Sequence, residues 1–110
     1  MRRKKWYRIR EFNSYDKFIQ IESPNKSDCI IDASIGGWKI AFCEHGFLCV
    51  WAVSLKGELY FRKGVCHTNV EGTEWMRIKL PEKVGGVLKC SCNPTGNLVL
   101  VTYEGIIADF

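Results

Sequence analysis

The 110-residue sequence predicts an all-β chain, with antiparallel four-stranded propeller-type blades, about two of them, forming a partial β-propeller. Three observations predict this. Short apolar or alternating segments recur between Gly, Pro and Asn turns, so the pattern is β almost throughout. The order of strands and turns then begins again after residue 81. The turn glycines Gly57 and Gly105 set a spacing of 48 residues (105 − 57), at which Val53 aligns with Val101 and Ser54 with Thr102. Four short strands per unit at a period in the forties is the signature of a propeller blade. An immunoglobulin-like sandwich fits the length but predicts no internal repeat.

The elements follow in chain order. Residues 6–12 are rich in aromatics and read as a strand, the outer part of a preceding blade. Residues 13–37 are mixed, with a short strand at 18–21 and a loop at 23–27. Residues 39–43 read as a strand and 44–46 as a turn. Residues 47–53 are apolar on both faces, as a central buried strand is. After the turn at Gly57, residues 58–62 form the next strand, and a polar loop covers 68–73. Residues 75–80 alternate, with Met76, Ile78 and Leu80 on one face and Arg77 and Lys79 on the other. That is a half-exposed outer strand, and Pro81 stops it. Residues 88–92, 98–103 and 106–108 repeat the inner strands. The organisation expected is therefore a basic N-terminal strand segment and connection at 1–37, a blade at 38–80 and a partial, degraded second blade at 81–110.

Composition narrows the function classes. Hydrophobic residues are 46% and charged residues 25%, ordinary for a globular domain. A chain this short buries one modest core and is too small for a large catalytic barrel. The longest apolar run, residues 47–53, falls well short of the ~20 residues of a membrane-spanning helix. The net charge of +4 is uneven: Arg2, Arg3, Lys4, Lys5, Arg8 and Arg10 precede the first acid, Glu11. The domain proper is not basic, so nucleic acid is not an expected partner. The basic, aromatic start reads as a solvated strand, with attachment to a membrane surface as the competing reading.

Six cysteines are present: Cys29, Cys43, Cys49, Cys66, Cys90 and Cys92. With no secretory signal at the start, reduced thiols and a cytoplasmic location are expected. Cys43, His45, Cys49, Cys66 and His67 lack the paired spacing of a zinc site, so no metal is expected. His45 and His67 have no nucleophile setting, and the Gly36-Gly37 and Gly85-Gly86 pairs lack the Lys and Ser/Thr of a phosphate loop. The chain reads as a non-enzyme without a cofactor. Trp51 reads as core, Gly57 and Gly105 as hairpin residues needing positive φ, and Arg62 as a strand-end cation able to pair with a carboxylate or stack on Trp75.

Residues 50–65, with Trp51-Ala52-Val53, Gly57, Leu59-Tyr60-Phe61-Arg62 and Gly64-Val65, followed by Gly72-Thr73-Glu74-Trp75, resemble a tectonin β-propeller repeat. The resemblance marks Trp51, Gly57, Tyr60, Arg62, Gly64, Gly72 and Trp75 as the repeat motif and candidate binding surface. In the second unit Val99 stands where the strand Trp is expected, and Asp109-Phe110 replaces the aromatic–Arg pair. The resemblance implies a non-catalytic interaction module of an intracellular scaffold in autophagy or vesicle trafficking, associated with vesicle or autophagosome membranes, with protein partners and membrane contact through the N-terminus or further domains. It also implies an alternative, a lectin binding glycan or lipopolysaccharide through Trp75 and Arg62. About two blades are fewer than a closed propeller needs, so a piece of a longer protein is expected.

Overall fold

The computed structural model of the chain describes residues 19–37, 48–66 and 68–109. They form seven strands: β1 (Ile30–Gly36), β2 (Cys49–Ser54), β3 (Leu59–Lys63), β4 (Glu74–Ile78), β5 (Val87–Cys92), β6 (Leu98–Thr102) and β7 (Gly105–Asp109). A 3₁₀ turn, Glu82–Val84, sits between β4 and β5. All pairings are antiparallel and follow chain order, giving a four-stranded sheet β1-β2-β3-β4 and a three-stranded sheet β5-β6-β7. The all-β, blade-like architecture is as the sequence predicts.

The registers of β5-β6-β7 follow those of β1-β2-β3. Trp51 lies opposite Ser34 in the first sheet, and Val99 lies opposite Ser91 in the second. Both inner strands carry an irregularity one residue from their start, between Ile30 and Asp32 and between Val87 and Lys89. Both central hairpins are tied by a hydroxyl at the same place. The Ser54 hydroxyl accepts from the Glu58 N–H at 3.1 Å, and the Thr102 hydroxyl accepts from the Glu104 N–H at 3.1 Å. Gly57 and Gly105 take the positive φ expected of them, 89° and 129°. At Gly57 a side chain is also barred by space, since a Cβ would stand 2.9 Å from the Gly86 Cα. That close approach lets the Val87 N–H donate to the Gly57 carbonyl at 3.0 Å, joining the first hairpin to the start of the second sheet.

The first sheet begins earlier than its sequence suggests. Its inner strand is Ile30–Gly36, inside the segment read as a connection, while residues 39–43 lie outside the described residues. Asp32 and Ser34 interrupt the apolar pattern of this strand, and the fold uses them as acceptors. The Cys90 N–H donates to Asp32 Oδ2 at 2.9 Å and the Cys92 N–H to Ser34 Oγ at 2.8 Å. The inner edge of β5 thus finds side-chain partners on β1 in place of a further strand, which removes the cost of unpaired backbone donors. The β1–β2 connection, residues 37–48, is also longer than its counterpart, residues 93–97.

The core lies between the sheets. Val53 and Leu59 of the first sheet meet Val87, Cys90, Leu98 and Leu100 of the second, with Trp51, Ile78, Leu80 and Cys92 packed around them. Strand alternation explains the choice: Trp51, Val53 and Leu59 point toward the second sheet, while Tyr60 and Arg62 point to the opposite face.

Candidate functional site

The opposite face of the first sheet gathers most of the motif residues into one corner. β3 supplies Tyr60 and Arg62, and β4 supplies Trp75, directly across from Arg62 in the register. The guanidinium carbon of Arg62 sits 5.3 Å from the centre of the Trp75 ring. Tyr60 meets the same indole edge-on at 6.4 Å. Gly64 ends β3 with φ 78°, and Gly72 precedes β4 with φ 69°. A Cβ on Gly72 would stand 2.6 Å from the Lys63 carbonyl and 3.1 Å from Arg62 Cγ, so only glycine lets the loop close over the Arg62 stem.

Arg62 is only 4% exposed, and a buried cation needs partners. Its Nε donates to the Glu71 carbonyl at 2.9 Å, and its Nη1 donates to Glu22 Oε2 at 2.8 Å. The Trp75 indole N–H donates to the Glu22 carbonyl at 2.7 Å. Glu22 therefore closes the corner twice, once by its side chain and once by its backbone. The hydrogen bond from Arg62 holds the Glu22 carboxyl below its ordinary value. The segment carrying Glu22 is fixed to the first sheet at a second point. There the Leu55 N–H donates to the Cys29 carbonyl at 2.7 Å and the Lys56 N–H to Asp28 Oδ1 at 3.1 Å.

Trp51 and Gly57 stand apart from this corner. Trp51 faces the second sheet, its ring 4.7 Å from that of Phe61. It lines an apolar cleft of about 200 Å³ between the sheets, with Leu59, Ile78, Leu80, Leu98 and Leu100. Gly57 belongs to a polar cleft of about 340 Å³, with Lys56, Glu58, Arg77, Lys79 and Glu82. Within it Arg77 Nε and Glu58 Oε1 pair at 2.8 Å. Sequence reasoning names Arg62 and Trp75 but misses Glu22, which lies far away in the chain within a stretch that carries no motif. It also misses Asp32 and Ser34.

The thiols divide by surroundings. Burial pushes Cys90 up to about 11, helped by the nearby Asp32 and Cys92. Burial also raises Cys49 and Cys92. The Thr68 hydroxyl, 3.3 Å from the sulfur, lowers Cys66. Cys29, Cys49, Cys66, Cys90 and Cys92 are all free thiols. No group of three or more metal-ligating side chains occurs among the described residues. No helix among them is long and apolar enough to cross a membrane.

A propeller family model, Hyd_WA, matches residues 50–78, the span from β2 to β4 that carries the Arg62 corner. Over 98 residues, 86% of the chain, the sequence is 41% identical to tectonin beta-propeller repeat-containing protein 1 of Pongo abelii. It is 40% identical to the protein of that name from Homo sapiens over the same share. The chain belongs to the tectonin β-propeller repeat family. A Drosophila melanogaster tectonin beta-propeller repeat-containing protein is 35% identical over 100 residues. The chain spans 8% of the length of the mammalian relatives and 7% of the insect one. Within the described residues Tyr60, Arg62 and Trp75 join β3 to β4 on one face of the first sheet, Gly64 and Gly72 flank them with positive φ, and Trp51 packs against the core between the sheets.

Proposed function

We propose that this propeller module is a non-catalytic protein-interaction element of an intracellular scaffold serving autophagy or vesicle trafficking. The observation that carries the reading is the burial of Arg62. A glycan-binding version of this repeat needs Arg62 and Trp75 at the surface. Here Arg62 is 4% exposed and its donors are engaged by Glu22 and Glu71. What the module offers to solvent instead is the mixed-charge cleft along Lys56, Glu58, Arg77, Lys79 and Glu82, flanked by the exposed apolar side chains of Leu55 and Tyr103. Apolar anchors beside alternating charges suit a polypeptide partner better than a sugar ring. The trafficking role rests on the likeness to the tectonin repeat proteins, and cytoplasmic placement goes with it.

The test is to express the tagged chain in cultured cells and follow it through nutrient withdrawal. Enrichment on autophagosome-marked vesicles is expected, and it should weaken when Arg77 and Lys79 are both changed to Glu. A diffuse signal in fed and starved cells alike would overturn the reading. Saturable binding to immobilised glycans or lipopolysaccharide, lost with Trp75→Ala, would replace it with the lectin reading.

A further inference from the structure

Most Ser and Thr hydroxyls among the described residues have structural duties. Ser54 and Thr102 are buried and tie the two hairpins, and Ser34 accepts from the Cys92 N–H. Thr73 donates to the Lys63 carbonyl, and Thr95 donates to Asn93 Oδ1. Ser23 is different. It is exposed, and it lies in the loop between Glu22 and the turn at 25–28. The sequence from 23 to 26 reads Ser-Pro-Asn-Lys, and no other Ser or Thr in the chain precedes a proline.

That order of residues suits a proline-directed protein kinase. Proline has no N–H, and its φ is fixed at about −65°. A cleft that leaves the N–H after the acceptor serine without a partner penalises every other residue and admits proline. A cation three positions after the serine fits an acidic subsite through a charge-assisted hydrogen bond. Lys26 stands exposed at that position. In the transfer, Ser23 Oγ bonds to the γ-phosphorus of ATP as the bond from that phosphorus to the bridging oxygen of ADP breaks. The hydroxyl proton passes to the kinase's catalytic carboxylate, and ADP departs.

The fold presents the serine but holds its neighbours. Glu22, one residue before it, accepts from Arg62 Nη1 at 2.8 Å through its carboxylate. Its carbonyl accepts from the Trp75 indole N–H at 2.7 Å. Pro24, one residue after, is half-buried. A kinase cleft grips an extended segment on both sides of the acceptor, so Glu22 must leave the Arg62 corner before Ser23 can react. The side after the serine yields more easily. Its turn is held by Asn25 Oδ1, which accepts from the Ser27 N–H at 3.0 Å and from Ser27 Oγ at 2.9 Å, both exposed. Such bonds exchange with water at small net cost. We infer that Ser23 is the phosphate acceptor of a proline-directed protein kinase, and that the hold of Arg62 and Trp75 on Glu22 sets how readily it is modified. The rate then follows the population in which this segment has opened locally. The inference goes beyond the interaction role, and the purified chain tests it without reference to any cellular placement.

The experiment incubates the full chain with a purified cyclin-dependent kinase and ATP, and locates the phosphate by peptide mass spectrometry. Modification of Ser23 is expected, and Ser23→Ala should remove it. Pro24→Ala should cut the initial rate about tenfold, because the missing N–H is what the kinase selects. Trp75→Phe removes the indole donor and lies outside the segment the kinase grips, so it reports the hold on Glu22 alone. It should raise the initial rate roughly two- to fivefold, the weight of one partly exposed interaction. Urea unfolding checks that Trp75→Phe remains folded. Phosphate confined to other residues, or a rate at Ser23 indifferent to Pro24→Ala, would overturn the acceptor assignment. An unchanged rate in folded Trp75→Phe would overturn the control by the corner.

Discussion

At equivalent positions the first sheet holds Trp51, Leu59 and Phe61, and the second holds Val99, Ile106 and Ala108. The backbone plan is shared down to the hydroxyl in each hairpin and the irregularity in each inner strand. What differs is the bulk on the face turned toward the next sheet. In the first sheet that face meets Leu98 and Leu100, with Leu59 buried and Trp51 half-buried; in the second no described element covers it, and Ile106 is bare. The comparison teaches that the repeat fixes hydrogen bonding and register, whereas the neighbour fixes which side chains carry stability.

Truncation at the paired positions breaks the comparison most sharply. Leu59→Ala should destabilise the chain by about 2–5 kcal/mol in urea unfolding, through lost burial and the cavity left behind. Ile106→Ala in the isolated monomer should stay within about 0.5 kcal/mol, because an exposed side chain loses little. Equal effects would show that the sheets are not distinguished by burial.

The joint between the inner strands is the next target. Asp32→Ala leaves the Cys90 N–H without its acceptor, and about 1–3 kcal/mol should be lost. Asp32→Asn keeps an acceptor and should recover most of it. The same unfolding curves decide, and a loss as large for Asn as for Ala would assign the effect to charge and not to the hydrogen bond.

Thiol chemistry reads the two sheets without altering them. With N-ethylmaleimide near pH 7.5, followed by peptide mass spectrometry, Cys66 should react well before Cys90. The Thr68 hydroxyl stabilises the Cys66 thiolate, while burial holds Cys90 near 11. Comparable rates would place β5 outside the core.

The smallest effect is acid loosening of the Arg62 corner. Folding lowers the Glu22 carboxyl below its ordinary 4.5, so its contribution is present above that value and is lost as pH falls through the folded value. The indole proton of Trp75, whose acceptor is the Glu22 carbonyl, should shift in that window in NMR spectra. Glu22→Gln should abolish the titration, and an unchanged titration would assign it to another group.

Much of the fold was legible because its signals are local. Gly57 and Gly105 mark turns by the φ they allow, Met76 and Ile78 alternate with Arg77, and the spacing between turns repeats. Arg62 and Trp75 were legible as motif residues for the same reason. Glu22 was not, since an ion pair across 40 residues leaves no periodic trace. Nor was β1: Asp32 and Ser34 look like loop residues until β5 lies beside them and needs acceptors. The longer connection at 37–48 hid the inner strand further, because the 48-residue period holds for β2 and β6 but not for β1 and β5.

The sequence by itself determined the strand content, the hairpins, the approximate repeat and the residues able to form the corner, because each depends on backbone preference or on neighbours within a few positions. Only the tertiary structure decided that Arg62 is spent on Glu22, that Trp51 faces the second sheet, and that Ile106 has no cover where its counterpart Leu59 is buried. Those outcomes depend on which surfaces meet, and burial, desolvation and charge pairing exist only once they do.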